Sequence, residues 1–148
     1  MQIPEPLHAY DKLTLLVVAD SKHAKTFLLK DREVTPLAEI LNDFPLKDNE
    51  KSKEAETMSP GGIRSGHTEE KLDLEKERHF SHTLATELMH RLQEKTFEDL
   101  ILAAPQEHLN EIVKALHNDV RARLVTSIPK LLTNEPVQDI LARINQEA

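Results

Sequence analysis

Apolar residues change their spacing several times along the chain, and each change marks a new element. The run LTLLVVAD at 13–20 is continuously apolar and rich in β-branched residues, the pattern of a strand buried on both faces. After the short turn SKH, AKTFLL at 24–29 alternates in part and predicts a second strand, so the two form an antiparallel hairpin. KDRE makes the next turn, and VTPLAEIL at 34–41 predicts a third strand. Pro36 has no N–H to give to a ladder, which puts this strand at a sheet edge.

The pattern then stops. From Asn42 to about Thr68 no period can be found, and KDNEKSKEAETMSPGGIRSG is polar and charged. A loop of this length inside a compact fold is usually functional or disordered. We expect residues 43–66 to be the most mobile part of the chain, because little apolar surface is there to offset the entropy of ordering. From Glu69 to Lys95 the spacing predicts one long helix, with Thr68 as N-cap and Glu69 and Glu70 in the first turn. Phe80, Leu84, Leu88 and Leu92, with Ala85, give its second half an apolar face, whereas EEKLDLEKERH is nearly all charge and belongs on the surface.

DLILAA at 99–104 reads as a buried strand ended by Pro105. Leu109, Ile112, Val113 and Leu116 then mark a helix, and RLVTSI at 123–128 a fifth strand. Thr133 or Asn134 caps a last helix whose face is Val137, Ile140, Leu141 and Ile144, with Pro136 in its first turn. The order β-β-β-loop-α-β-α-β-α predicts an α/β fold. It is a single domain over 1–148, with a mixed five-stranded sheet, helices on its faces and a flexible loop at 43–68. That layout is ribonuclease H-like.

Composition narrows the function. The net charge of -7 has the wrong sign for a protein that grips nucleic acid mainly by neutralising phosphates, although a local basic patch stays open. From Lys47 to Lys95 there are nine basic and eleven acidic residues, a near-balance that fits a solvated helix face. No cysteine is present, so disulfide and thiol chemistry are excluded. No apolar run is long enough to span a membrane, and MQIPEPLHAYDK does not have the form of a signal peptide. We therefore expect a cytoplasmic protein.

The catalytic constellations are weak. Asp20 ends the first strand, where a ribonuclease H-like nuclease would place its first metal carboxylate. The strand LILAA offers no second carboxylate at its end, so Asp20 reads as a turn residue. His79 and His82, with Glu75 a turn earlier, have a metal-compatible spacing but no evident third ligand. Neither a Gly-x-Ser-x-Gly elbow nor a Gly-Lys-Ser phosphate loop occurs. No catalytic residue, metal, cofactor or small-molecule ligand is expected.

All three glycines of the chain, Gly61, Gly62 and Gly66, fall within six residues. Glycine allows positive φ and lets backbone approach another surface closely. Two readings stand side by side: a contact loop in which Arg64 meets a phosphate, and a plain surface loop entering the helix.

VVADSKHAKTFLL resembles the opening of the bacterial host-attachment protein family, through Ala19, Asp20, Ala24, Lys25 and Phe27. FEDLILAAPQEHL and ARLVTSIPKLLTNEP, with Lys130, resemble its later strand-helix elements, so the resemblance covers nearly the whole chain. That family is similar to the middle domain of archaeal and eukaryotic peptide-chain release factors and of Pelota. In the release factors a Gly-Gly-Gln loop before a long helix enters the ribosomal peptidyl-transferase centre; the Pelota domain lacks that tripeptide. Here Gly61 and Gly62 precede the long helix, but Ile63 stands in place of glutamine. The resemblance implies a ribosome- or RNA-associated binding protein acting through Gly61, Gly62, Ile63 and Arg64. Two other readings remain open: a peptidyl-tRNA hydrolase, and a protein-interaction module in attachment to host cells.

Overall fold

The computed structural model describes residues 2–5, 7–42 and 65–147. Three strands come first: β1 (Tyr10–Ala19), β2 (His23–Asp31) and β3 (Glu33–Leu41). The long helix α1 (Ser65–Gln93) leads to β4 (Asp99–Ala103), α2 (Gln106–Ala115), the short α3 (Asn118–Arg121), β5 (Leu124–Ile128) and α4 (Val137–Glu147). The sheet has the order β3-β2-β1-β4-β5. β1 pairs with β2 and β2 with β3 antiparallel, while β1–β4 and β4–β5 are parallel. The expected hairpin and the α/β layout are thus both present.

The continuous apolar run of β1 is explained by its central place. Leu15 and Val17 face one core, with Phe80, Leu84 and Leu88 of α1 and Leu109 and Ile112 of α2. Leu16 and Val18 face the other, with Ile140, Leu141 and Ile144 of α4 and Ile3 from the N-terminal segment. Both crossover helices therefore lie on one face, and α4 lies on the opposite face. A fully buried leucine or phenylalanine of this kind contributes about 1.5–3 kcal/mol.

Both edges of the sheet are blunted. β3 is an edge strand as Pro36 requires, and Pro36 lies opposite Phe27. The register of β2 with β3 shifts between Ala24 and Thr26, so that Ala38 and Glu39 both stand opposite Lys25. At the other edge, Leu100 pairs with Leu124 but Ile101 pairs with Thr126. Val125 is the extra residue, which is why a valine in a strand is 58 % exposed. Short, bulged and charged edges resist pairing with other chains.

α1 starts at Ser65, not Glu69, so Thr68 lies inside the helix rather than at its cap, and Gly66 is helical as well. It ends at Gln93 through a left-handed residue, Lys95, with φ of 61°. The division of its faces matches expectation among the described side chains: Asp73, Leu74 and Glu75 are exposed, and from Leu72 onward Phe80 is the first that is buried. α3 has no apolar repeat to announce it. Its single buried side chain, Val120, ties it to the α1–α2 face of the core.

Candidate functional site

The expected contact residues Gly61, Gly62, Ile63 and Arg64, and most of the 43–68 loop around them, lie outside the described residues. The two flanks of that segment are described. On one side β3 ends at Leu41, and Asn42 is held twice: its backbone N–H donates to the Lys22 carbonyl at 3.0 Å, and its side-chain amide to the Lys76 carbonyl of α1 at 3.0 Å. On the other side α1 begins at Ser65. The clamp at Lys76 lies eleven residues beyond that start, about 16 Å along the helix at 1.5 Å per residue. Asn42 and Ser65, the described residues on either side, are thus about three helical turns apart along α1.

The carboxyl ends of β1, β4 and β5 gather the other residues that carried the sequence resemblance. Asp20 is a turn residue. Its Oδ1 accepts from the backbone N–H of Lys22 at 2.7 Å and of His23 at 2.9 Å, and its Oδ2 lies 3.2 Å from His23 Nδ1. Aspartate favours this position because its short carboxylate replaces a backbone acceptor in the turn. Lys25 reaches from β2 to the Thr133 carbonyl at 2.7 Å. Thr133 and Leu132 are buried, so the segment between β5 and α4 folds back across this end of the sheet. Lys130 stands exposed at the start of that segment. Open α/β sheets commonly bind ligands at this end. Here a strap occupies it.

Sequence reasoning missed one buried charged group. Arg91, on the last turn of α1, is 9 % exposed. Its Nε donates to Glu87 Oε2 at 2.8 Å, one terminal nitrogen to Thr26 Oγ1 at 3.1 Å, and the other to the Ala38 carbonyl at 3.1 Å. Thr26 Oγ1 also donates to the Ala38 carbonyl at 2.8 Å. The bulge in β3 turns this carbonyl away from the ladder, and Arg91 and Thr26 satisfy it. Above them runs a groove of about 570 Å³ between β3 and α1, lined by Glu39, His79, His82, Thr83, Thr86 and Glu87 among others.

Among the described residues no group of three His, Asp or Glu side chains is placed to hold a metal ion. Several histidines sit beside carboxylates, His90 with Glu94 at 3.4 Å and His108 of α2 with Glu77 of α1 at 3.8 Å. No helix among the described residues is long and apolar enough to cross a membrane.

Comparison with solved structures gives an archaeal translation termination factor, aRF1, with a TM-score of 0.46, 14 % identity, and coverage of 90 % of this chain and 38 % of that one. A structure titled only as an archaeal protein matches with a TM-score of 0.46 and 14 % identity, over 91 % of this chain and 36 % of its own. The chain thus spans little more than a third of either. No curated protein matches. A family model described as bacterial archaeo-eukaryotic release factor family 12 matches residues 13–144, from the first strand through the last helix. Because that match covers most of the chain, including β2 to β5 and the whole of α1, the chain belongs to the bacterial archaeo-eukaryotic release factor family 12.

Proposed function

We propose that the protein binds the ribosome or ribosomal RNA through the segment Gly61-Gly62-Ile63-Arg64, carried at the tip of α1. The observation that supports this most is the family match over residues 13–144, combined with a Gly-Gly pair immediately before a long helix. Asn42, tied to the Lys76 carbonyl, and Ser65, the first residue of α1, flank that segment. Ile63 has no group able to polarise or position a water, which favours binding over peptidyl-tRNA hydrolysis. On this reading the protein works in the cytoplasm. Attachment to host cells rests on sequence resemblance alone and would be an indirect consequence of that role.

The test is co-sedimentation with ribosomes at two salt concentrations. Gly62→Ala should weaken association by adding a Cβ and restricting φ. Ile63→Ala should matter less. Arg64→Ala should weaken association and reduce its salt dependence by one phosphate contact at most. Absence of wild-type protein from the ribosomal fractions, or normal binding by Gly62→Ala with a melting point several degrees lower, overturns the reading.

A further inference from the structure

A second groove, of about 420 Å³, lies between α1 and the end of α2. That volume falls within the range of about 300–1,000 Å³ common to small-molecule sites. One wall is a stripe of α1 made by His82, Thr86, Met89, His90 and Gln93, which share a face at helical spacing. The other wall is Ala115, the last residue of α2, and His117, the N-cap of α3. His82 and His90 are two turns apart, about 12 Å along the helix axis at 1.5 Å per residue.

The lining favours a neutral, planar ligand. None of the described residues that line the groove is Lys, Arg, Asp or Glu, in a chain with 30 % charged residues. Three of them are imidazoles, and no ring contact engages these three among the described residues. Two have an edge occupied: His90 Nε2 lies 3.4 Å from Glu94 Oε1, and His117 Nδ1 accepts from the Asp119 N–H at 3.1 Å. Edge contacts leave the ring faces open to stacking. The carboxylates of Glu94 and Asp119 beside these rings are exposed and oppose a phosphate. His82, the Thr86 hydroxyl and the Gln93 amide have no partner among the described residues. Hydroxyl and amide both donate and accept, and Met89 adds a polarisable sulfur that suits an aromatic edge. A charged peptide finds no permanent counter-charge in this lining. A nucleobase finds flat rings to stack on and polar groups for its edge.

We propose that this groove takes an unpaired nucleobase of a single-stranded RNA, stacked against the His82 imidazole, its edge read by Thr86 and Gln93 and its phosphates left in solvent. The choice of RNA rests on the function proposed above, but the groove uses none of Gly61–Arg64. Stacking gives a chain of net charge -7 a route to RNA that does not depend on neutralising phosphates.

The experiment uses the whole chain and a short fluorescent single-stranded RNA, followed by anisotropy. Wild type should bind it with little change as salt rises, and should not bind the same backbone without bases. His82→Ala should bind about tenfold more weakly with an unchanged melting curve, because this side chain is exposed. His82→Phe should bind like wild type, since it keeps a ring face and discards the imidazole nitrogens. Equal affinity for the abasic strand, equal affinity of His82→Ala, or a steep loss of binding with salt overturns the proposal. So does free adenosine that competes as well as the strand, which would assign the groove to a nucleoside. An aromatic peptide that binds more tightly than the strand overturns it too, and would assign the groove to a protein. Gly62→Ala should leave this binding unchanged. Failure of the ribosome co-sedimentation and failure of His82→Ala to weaken RNA binding are therefore separate results.

Discussion

The guanidinium of Arg91 donates to Thr26 Oγ1 at 3.1 Å, joining the end of α1 to the middle of β2 across 65 residues of chain. Both groups also serve the Ala38 carbonyl at the β3 bulge. Removing Arg91 leaves that carbonyl with one donor fewer and Glu87 without its cation. We expect Arg91→Ala to cost about 2–4 kcal/mol, less than the loss of a fully buried ion pair because Glu87 keeps contact with water. Thr26→Val should cost about 1–2 kcal/mol. The double variant should cost less than the sum, since the two share an acceptor. Urea denaturation of the three variants measures all of this.

The Tyr10 phenol is pushed up from 10.0 to about 12 by burial. It packs at the margin of the α4-side core, beside the His8 ring with centroids 5.1 Å apart. Between those two values the unfolded chain has lost a proton that the folded chain still holds. Stability should therefore fall as pH rises from about 10 towards 12, and this residue adds no pH dependence below about 10. The chain has one tyrosine and no tryptophan, so alkaline absorbance titration reports this phenol alone. A midpoint near 10 would contradict the burial, and Tyr10→Phe should remove the signal.

What the sequence made legible follows from periodicity. β1 could be read because both of its faces are buried, and α1 because Phe80, Leu84 and Leu88 recur at helical spacing. Pro36 located an edge because its missing N–H excludes the interior. The start of α1 was misplaced because the residues 65–68 carry no apolar signal, and Thr68 imitates a cap. Arg91 escaped notice because an arginine among helix charges looks solvated; only the bulge at Ala38, a feature of register, gives it buried work. Of the candidate site, the sequence named Gly61–Arg64, and the structure adds its flanks at Asn42 and Ser65. The groove beside β3 had no signal, because its two walls are some forty residues apart in the chain.

The apolar packing of α1 should rest mainly on its second half. Phe80 is 2 % exposed and begins the packed stretch, whereas Leu74 is 54 % exposed. Phe80→Ala should cost about 3–5 kcal/mol, and Leu74→Ala less than about 0.5 kcal/mol. Chemical denaturation of the two variants decides it. A large loss for Leu74→Ala would mean that the charged half of the helix is packed as well.

The C-terminus of α1 carries a cost that glycine would relieve. The Thr96 N–H donates to the Arg91 carbonyl at 3.0 Å and the Lys95 N–H to the Leu92 carbonyl at 2.9 Å, the paired bonds of a Schellman motif. That motif needs a left-handed residue, and the residue there is Lys95, with φ of 61°. Its Cβ crowds the following carbonyl, at a cost of about 1–2 kcal/mol that glycine does not bear. Glycine loses more backbone entropy on folding, so the gain is smaller than the strain. Lys95→Gly should stabilise the protein by about 0.5–1 kcal/mol and raise Tm by about 1–4 °C. Lys95→Ala should do neither, because it keeps the Cβ. If alanine stabilises as much as glycine, the gain comes from losing the lysine charge, and the left-handed strain at this helix end is not what limits stability there.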